Sequence, residues 1–171
     1  MKTLHTKILA AYFAVATFTA FAGDTIGDAF GMRLGDVFDP ASSIGASKAT
    51  NGTVLYQFTR NKTAFPGFDG FDTCYVMLTP SSHKIYSILG VSSVTNKESG
   101  LAKQSIFMGM LRLKFSNKPE LDKLVNAGDV QSIDQGSRHV ISRVTEEAGG
   151  KIELEFLDSN LQKTADAEKP K

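Results

Sequence analysis

Apolar and polar residues alternate along two neighbouring stretches in the middle of the chain, and this alternation predicts a β-hairpin. In the first stretch Cys74, Val76 and Leu78 share one face, with Tyr75 and Met77 opposite. In the second stretch the alternation runs through residues 85–91. Between them, the sequence Thr79-Pro80-Ser81-Ser82 supplies turn residues, because proline presets φ. We expect the rest of the chain to pack on this hairpin or to extend it.

The same period of two recurs elsewhere and predicts further strands. Residues 53–60, 139–145 and 151–157 alternate in this way, and residues 131–137 are predicted as a short strand or a turn. Glu153 and Glu155 alternate with the apolar residues of the last stretch, which predicts a solvated strand face. The alternative for these two carboxylates is a metal site or an acid–base pair.

A helical period predicts two helices. The long one spans residues 101–115, and its broad apolar face combines two stripes, one with Ile106, Met110 and Leu113 and one with Phe107, Leu111 and Phe115. A shorter helix is predicted to begin at Pro119 and to end before Gly128. The predicted fold class is therefore α+β, an antiparallel sheet of about five strands with one long and one short helix packed on one face.

The first 22 residues have the pattern of a secretory signal peptide. Lys2 and Lys7 accompany an apolar run from Ile8 that ends in Ala20-Phe21-Ala22, a small-residue cleavage site. An N-terminal membrane anchor is the alternative, but no stop-transfer flank follows the run. We expect cleavage after Ala22 and a location in the periplasm or outside the cell. The remaining residues 23–171 are predicted to form a single domain with an irregular N-terminal segment at 23–53 and a frayed tail at 162–171. Asp158 or Ser159 can cap a final helical turn from Leu161 to Glu168, ahead of the last three residues.

The charge of the expected mature chain is close to neutral. The first 22 residues hold two of the 19 basic residues and none of the 18 acidic ones, which leaves 17 − 18 = −1. No basic patch of the kind that nucleic acid requires is visible, and no second apolar span follows. The charge pattern therefore predicts no nucleic-acid partner and no stable membrane anchor.

Cys74 is the single cysteine of the chain, so a disulfide framework is excluded. A free cysteine within an apolar alternation usually behaves as a small buried hydrophobic residue. The alternative is a reactive thiol that uses His83 or His139 as its base, as in a small hydrolase or a thiol-dependent enzyme. Neither histidine has a metal-ligand neighbour at helical or strand spacing, and phosphate-loop, dinucleotide and nucleophile-elbow motifs do not occur. The sequence therefore predicts no cofactor and no metal, and it favours a non-catalytic protein over an enzyme.

A loop rich in glycine and proline carries three phenylalanines at positions 65, 68 and 71. Exposed aromatic rings in a loop are typical of a recognition surface. The alternative is that these rings fold back onto the core, where phenylalanine is usually found. The candidate binding residues are this trio and three side chains of the hairpin: Phe65, Phe68, Phe71, Tyr75, His83 and Tyr86.

Several elements together resemble a group of small exported bacterial proteins of unknown function. They are FDTCYVMLTPSSHKIYSI, then a helix, then IDQGSRHVIS, then IELEFLDSNLQKTADAE. In that group the long helix ends in Tyr-Gly, whereas this chain has Phe115-Ser116. The resemblance implies a periplasmic location and carries no activity across. We therefore expect an exported, non-catalytic binding or protein-interaction module, with a periplasmic protein as the candidate partner; the ligand and the oligomeric state stay open.

Overall fold

The computed structural model describes residues 25–61, 70–115, 129–146 and 150–169. The predicted signal peptide, Phe65, Phe68 and the predicted short helix after Pro119 lie outside these ranges. The described chain contains a nine-residue helix and a nineteen-residue helix and nine strands. The helices are α1 (Lys97–Phe115) and α2 (Ser159–Ala167). The strands are β1 (Asp28–Ala29), β2 (Met32–Arg33), β3 (Gly45–Lys48), β4 (Val54–Phe58), β5 (Thr73–Leu78), β6 (Ile85–Ser93), β7 (Val130–Gln135), β8 (Arg138–Thr145) and β9 (Lys151–Asp158).

Seven of these strands form one sheet in the order β3-β4-β5-β6-β9-β8-β7, and every neighbouring pair is antiparallel. The α+β class is confirmed, but the prediction of about five strands was wrong. Strand β3 was missed because its sequence, GASK, has no large apolar residue that could alternate. It lies within the segment predicted as irregular, which also contains the β1–β2 hairpin. Strand β7 corresponds to the stretch for which a strand or a turn was predicted.

The main core lies on one face of this sheet. Helix α1 packs there through Phe107, Met108, Leu111 and Phe115. The N-terminal segment covers the same face with buried apolar side chains that include Ile26, Phe30, Leu34 and Phe38. From the sheet, the core receives Cys74, Val76, Ile88, Val140, Ile152, Leu154 and Phe156.

The broad apolar face predicted for α1 is only half buried. The stripe with Phe107, Leu111 and Phe115 contacts the core, as predicted. In the other stripe, Ile106 and Leu113 remain exposed, with 61% and 82% of their surface accessible. The prediction was therefore wrong for these two positions, whereas Met110 of the same stripe is partly buried and packs against the core.

Helix α2 packs on the opposite face of the sheet. Ala165 and Leu161 contact Tyr86 and Leu157 there and form a second, smaller core. Asp158 caps the helix, because its carboxylate accepts hydrogen bonds from the backbone N–H groups of residues 160 and 161 at 3.0 and 3.2 Å. The helix ends at Ala167, so the predicted final helical turn with its Asp158 cap is confirmed, and residues 162–167 of the predicted tail belong to it. Within the described part of the chain, no helix is both long and apolar enough to cross a membrane.

Candidate functional site

A cleft of about 310 Å³ lies where two turns meet the end of helix α2, and we call it the turn cleft. The β3–β4 turn and β4 supply one wall, the β5–β6 turn supplies the second, and α2 with the residues that follow it supplies the third. The lining residues are Gly52, Thr53, Val54, Tyr56, Leu78, Thr79, Pro80, His83, Tyr86, Ala165 and Lys169. The volume is near the lower limit for clefts that hold small molecules.

The β5–β6 turn is held by hydrogen bonds to Thr79. Its backbone N–H donates to the carbonyl of Lys84 at 2.9 Å, and its carbonyl accepts from the N–H of His83 at 3.0 Å. Its hydroxyl accepts from the N–H of Lys84 at 2.9 Å and lies 2.6 Å from the hydroxyl of Ser82. A further bond, from the N–H of Ser81 to the carboxylate of Glu168 at 2.9 Å, ties the turn to the end of α2. Two walls of the cleft are therefore fixed relative to each other before any ligand binds.

His83 occupies a backbone conformation that side-chain-bearing residues rarely adopt. Its φ is +51°, in the left-handed region, where histidine is tolerated better than branched residues. The carbonyl of His83 accepts a hydrogen bond from the N–H of Phe38 at 3.0 Å. The turn thus presents an exposed imidazole at the cleft at the cost of a strained backbone.

The pKa values of two polar groups that line the cleft are raised. Burial raises the pKa of the Tyr86 phenol, and this effect outweighs the hydrogen bond with Thr53, which lowers it. The Lys169 ammonium lies 2.7 Å from the carboxylate of Asp166, and this hydrogen bond raises its pKa. The cleft therefore offers a phenol donor and a charged ammonium beside an apolar wall of Val54, Leu78, Pro80 and Ala165.

Two of the candidate binding residues meet in the turn cleft and two others do not. His83 and Tyr86 line it, whereas Tyr75 points to the α2 side of the sheet from the middle of β5, half-buried. Phe71 is fully buried, with its ring 5.5 Å from that of Phe30 and 5.1 Å from that of Phe107. This ring folds back onto the core, so its assignment to a recognition surface is corrected. The recognition role of Phe65 and Phe68, which lie outside the described residues, stays a prediction.

Sequence reasoning missed Thr53, Tyr56 and Lys169 as cleft residues. No local pattern marks them, and Lys169 follows Thr53 by more than a hundred positions. Only the order of the strands and the docking of α2 bring these residues together.

The structure does not bring Cys74 and a histidine together. The Cys74 thiol is buried, and burial raises its pKa to about 11, so it is protonated at neutral pH. His139 lies on the opposite face of the sheet, where its Nδ1 is 2.7 Å from the carboxylate of Asp134. His83 lies in the turn beyond the far end of β5, about 13 Å along the strand from Cys74 at about 3.3 Å per residue. The thiol and the imidazoles are therefore not arranged as nucleophile and base.

The two carboxylates of β9 differ in their surroundings. Glu155 accepts hydrogen bonds from the Ser87 hydroxyl at 2.8 Å and from the Arg143 guanidinium at 2.9 Å. Its side chain is only 12% exposed, so the predicted solvated face does not hold at this position. Among the residues that the structure describes, no group of three acidic, cysteine or histidine side chains could hold a metal ion.

No protein-family model, curated protein or solved structure matches this chain. Its function therefore has to be inferred from its own residues.

Proposed function

We propose that the chain is an exported, non-catalytic binding module that holds a small ligand in the turn cleft. One observation carries this proposal. The residues His83, Tyr86, Thr53, Tyr56 and Lys169, from three separate parts of the chain, converge on one cleft with an apolar wall. A few polar groups around an apolar concavity are typical of ligand sites.

The chemistry of the lining suggests the class of ligand. Lys169 supplies a positive charge, and His83 and Tyr86 can donate hydrogen bonds. The wall that includes Leu78 and Pro80 suits a flat apolar group. A small aromatic carboxylate combines both features, and neither a sugar nor an aromatic amine does.

The exported location rests on the sequence. The charged and apolar pattern of residues 1–22 ends in Ala20-Phe21-Ala22, and the hairpin resembles that of exported bacterial proteins. An exported ligand-binding module without a catalytic group fits the protonated, buried thiol of Cys74.

The proposal is tested by thermal unfolding of the mature protein with panels of aromatic carboxylates, aromatic amines and sugars. A ligand that binds the folded state alone raises the melting temperature. We expect carboxylates to do so, and Lys169→Gln to remove the shift. The matched control is Lys163→Gln, which changes an exposed lysine of α2 that does not line the cleft. A carboxylate shift that survives Lys169→Gln, or no shift with any panel, would contradict the proposal.

A further inference from the structure

Helix α2 is attached to the sheet through much less buried surface than helix α1. All nine residues of α2 are described, and Ala165 is the one among them that is buried. Beside it Leu161 is half-buried and packs against the cluster that Ala165 forms with Tyr86 and Leu157. Helix α1, which is also described throughout, buries six residues. Since the stability of a segment follows the apolar contacts that it buries, α2 is held less firmly than α1.

Helix α2 is also too short to stay helical without the sheet. It spans nine residues, and isolated helices of fewer than about 12–15 residues are marginal in water. Four of its residues, Ser159, Asn160, Thr164 and Asp166, are of types with low helix propensity. Release of α2 from the sheet would therefore unfold the helix as well, so that docking and helix formation are a single event.

Hydrogen bonds hold α2 at both ends. At its beginning the N–H and the hydroxyl of Ser159 donate to the carbonyl of Ser137 at 2.8 and 3.0 Å. At its far end the carboxylate of Glu168 accepts from the N–H of Ser81 at 2.9 Å, in a bond exposed to solvent. Water competes for such an exposed bond, so its net contribution is small. Opening of α2 breaks these bonds and the small apolar cluster, but it breaks no pairing within the sheet.

The sheet keeps its order of strands when α2 is released. Strand β9, which directly precedes α2, pairs with β6 on one side and with β8 on the other. The apolar residues of β9 that face α1, among them Ile152, Leu154 and Phe156, belong to the main core. The structure therefore separates a stable sheet from a weakly attached segment that follows it.

This segment completes the turn cleft. Ala165 and Lys169 supply the third wall of the cleft, whereas its other walls come from strands and turns of the sheet. Tyr86, which also lines the cleft, is 5% exposed and packs against Ala165. Release of α2 would remove the ammonium of Lys169 from the cleft and uncover the ring of Tyr86.

We propose that residues 159–169 form a strap that opens as one unit while the seven-stranded sheet stays folded, and that the turn cleft is a complete binding site only when the strap is closed. The apparent affinity for a ligand is then set by the fraction of molecules with a closed strap. A ligand that contacts both the strap and the turns binds the closed form more tightly and shifts the population towards it. This coupling rests on the proposed function, whereas the opening of the strap does not.

The opening is tested by hydrogen exchange of the mature protein, followed by NMR for each amide at low concentrations of urea. We expect the helical amides of α2 to share one opening free energy and to exchange at least about tenfold faster than those of β6 and β9. Their exchange should depend weakly on urea, because opening of the strap exposes little surface. Exchange of α2 only together with β9 would overturn the proposal, and so would unrelated rates from one residue of α2 to the next.

A pair of variants distinguishes a strap from a fraying helix end. Glu168→Ala removes the acceptor for the N–H of Ser81 and should increase opening by about threefold to tenfold. In a strap, the amides at both ends of α2 accelerate by the same factor. The control, Lys163→Ala, changes an exposed residue of α2 and should leave exchange unchanged or slightly slower, because alanine is a good helix former. Acceleration confined to the last turn, or equal acceleration by both variants, would overturn the proposal.

The coupling to the turn cleft is tested by adding benzoate, a small aromatic carboxylate. If benzoate binds only the closed form, exchange in α2 and in β9 slows by the same factor. Benzoate that slows exchange in β9 but not in α2 binds the open form equally well, which would overturn the coupling. If benzoate changes neither, the proposed aromatic-carboxylate site fails, and the strap stands or falls by its exchange without ligand.

Discussion

The ring of Phe30 lies directly on Gly90, so that a Cβ at position 90 would come within 2.6 Å of its Cζ atom and 3.1 Å of Cδ1 of Phe71. Phe30 and Gly31 form the β1–β2 turn with positive φ angles of 54° and 94°. Phenylalanine is unusual at such a position, where asparagine or glycine is preferred. The buried ring explains its presence, because it also packs 6.3 Å from the ring of Phe156. The β1–β2 hairpin thus packs on the central strand β6 through the ring of Phe30.

The first prediction concerns the contact between Gly90 and the ring of Phe30. Gly90→Ala should lower the free energy of unfolding by about 1–3 kcal/mol, because the added methyl group displaces the ring of Phe30. Chemical denaturation followed by circular dichroism measures it. The control is Gly109→Ala on α1, where a Cβ would meet nothing within 4 Å. That change should stabilise the protein by about 0.5–1 kcal/mol, because alanine is the better helix former. Equal stability of the Gly90→Ala variant and the parent would contradict this assignment.

The second prediction concerns the left-handed backbone of His83. His83→Gly removes the steric cost and should leave the stability unchanged or raise it by up to about 1 kcal/mol. His83→Val should lower it by about 1–2 kcal/mol, because a branched side chain tolerates this conformation poorly. The difference between their melting temperatures reports the strain. If both variants melt together, the turn has another backbone conformation in solution.

The third prediction is a dependence of stability on alkaline pH. The thiol of Cys74 ionises near pH 8.5 in an unfolded chain, and burial raises its pKa to about 11 in the folded state. The protonated thiol therefore stabilises the folded state fully below about pH 8.5, and this stabilisation is lost as the pH rises towards 11. Urea titrations across this range, on the parent and on Cys74→Ala, should show a steeper loss in the parent. Parallel curves would mean that the thiol reaches solvent in the folded state.

A fourth prediction distinguishes the two carboxylates of β9. Glu155→Gln should destabilise the protein by about 1–3 kcal/mol, because it weakens the partly buried bonds to Ser87 and Arg143. Glu153→Gln is the matched change two residues away on the same face, for which we expect less than about 0.5 kcal/mol. Denaturation midpoints of the two variants at neutral pH provide the comparison. Similar midpoints would show that the hydrogen bonds of Glu155 with Ser87 and Arg143 do not stabilise the folded state.

The central hairpin could be predicted because its signals are local. Alternation from Thr73 to Leu78 and the turn residues after it are enough to specify two paired strands. Strand β3 could not be predicted, since its small and polar residues become a strand only through pairing with β4. The buried side of α1 was predicted in part, because Phe107, Leu111 and Phe115 pack on the core but Ile106 and Leu113, on the adjoining stripe, are exposed.

The candidate site was predictable only in part, for a similar reason. His83 and Tyr86 stood out because they belong to the hairpin. Lys169 joins them through the docking of α2, which depends on contacts of Ala165 and Leu161 with Tyr86 and Leu157. Sequence separation of this size leaves no periodic signal. Phe71 was predicted to lie on a recognition surface because of the composition of its loop, but its ring is fully buried.

The position of β9 between β6 and β8 predicts the order in which the strands of the sheet pair during folding. Strands β3 to β6 form one run of neighbours and β8 with β7 another, and β9 alone joins them. Its pairing with β6 connects Ser87 to Leu157, 70 positions later in the chain. Pairing between such distant segments is slow, because the entropy lost in closing a long loop comes before any stabilising contact forms. Before β9 pairs with them, β6 and β8 each expose an unpaired edge to other copies of the chain. We therefore expect the late-folding intermediate, rather than the native protein, to be the species most prone to aggregation.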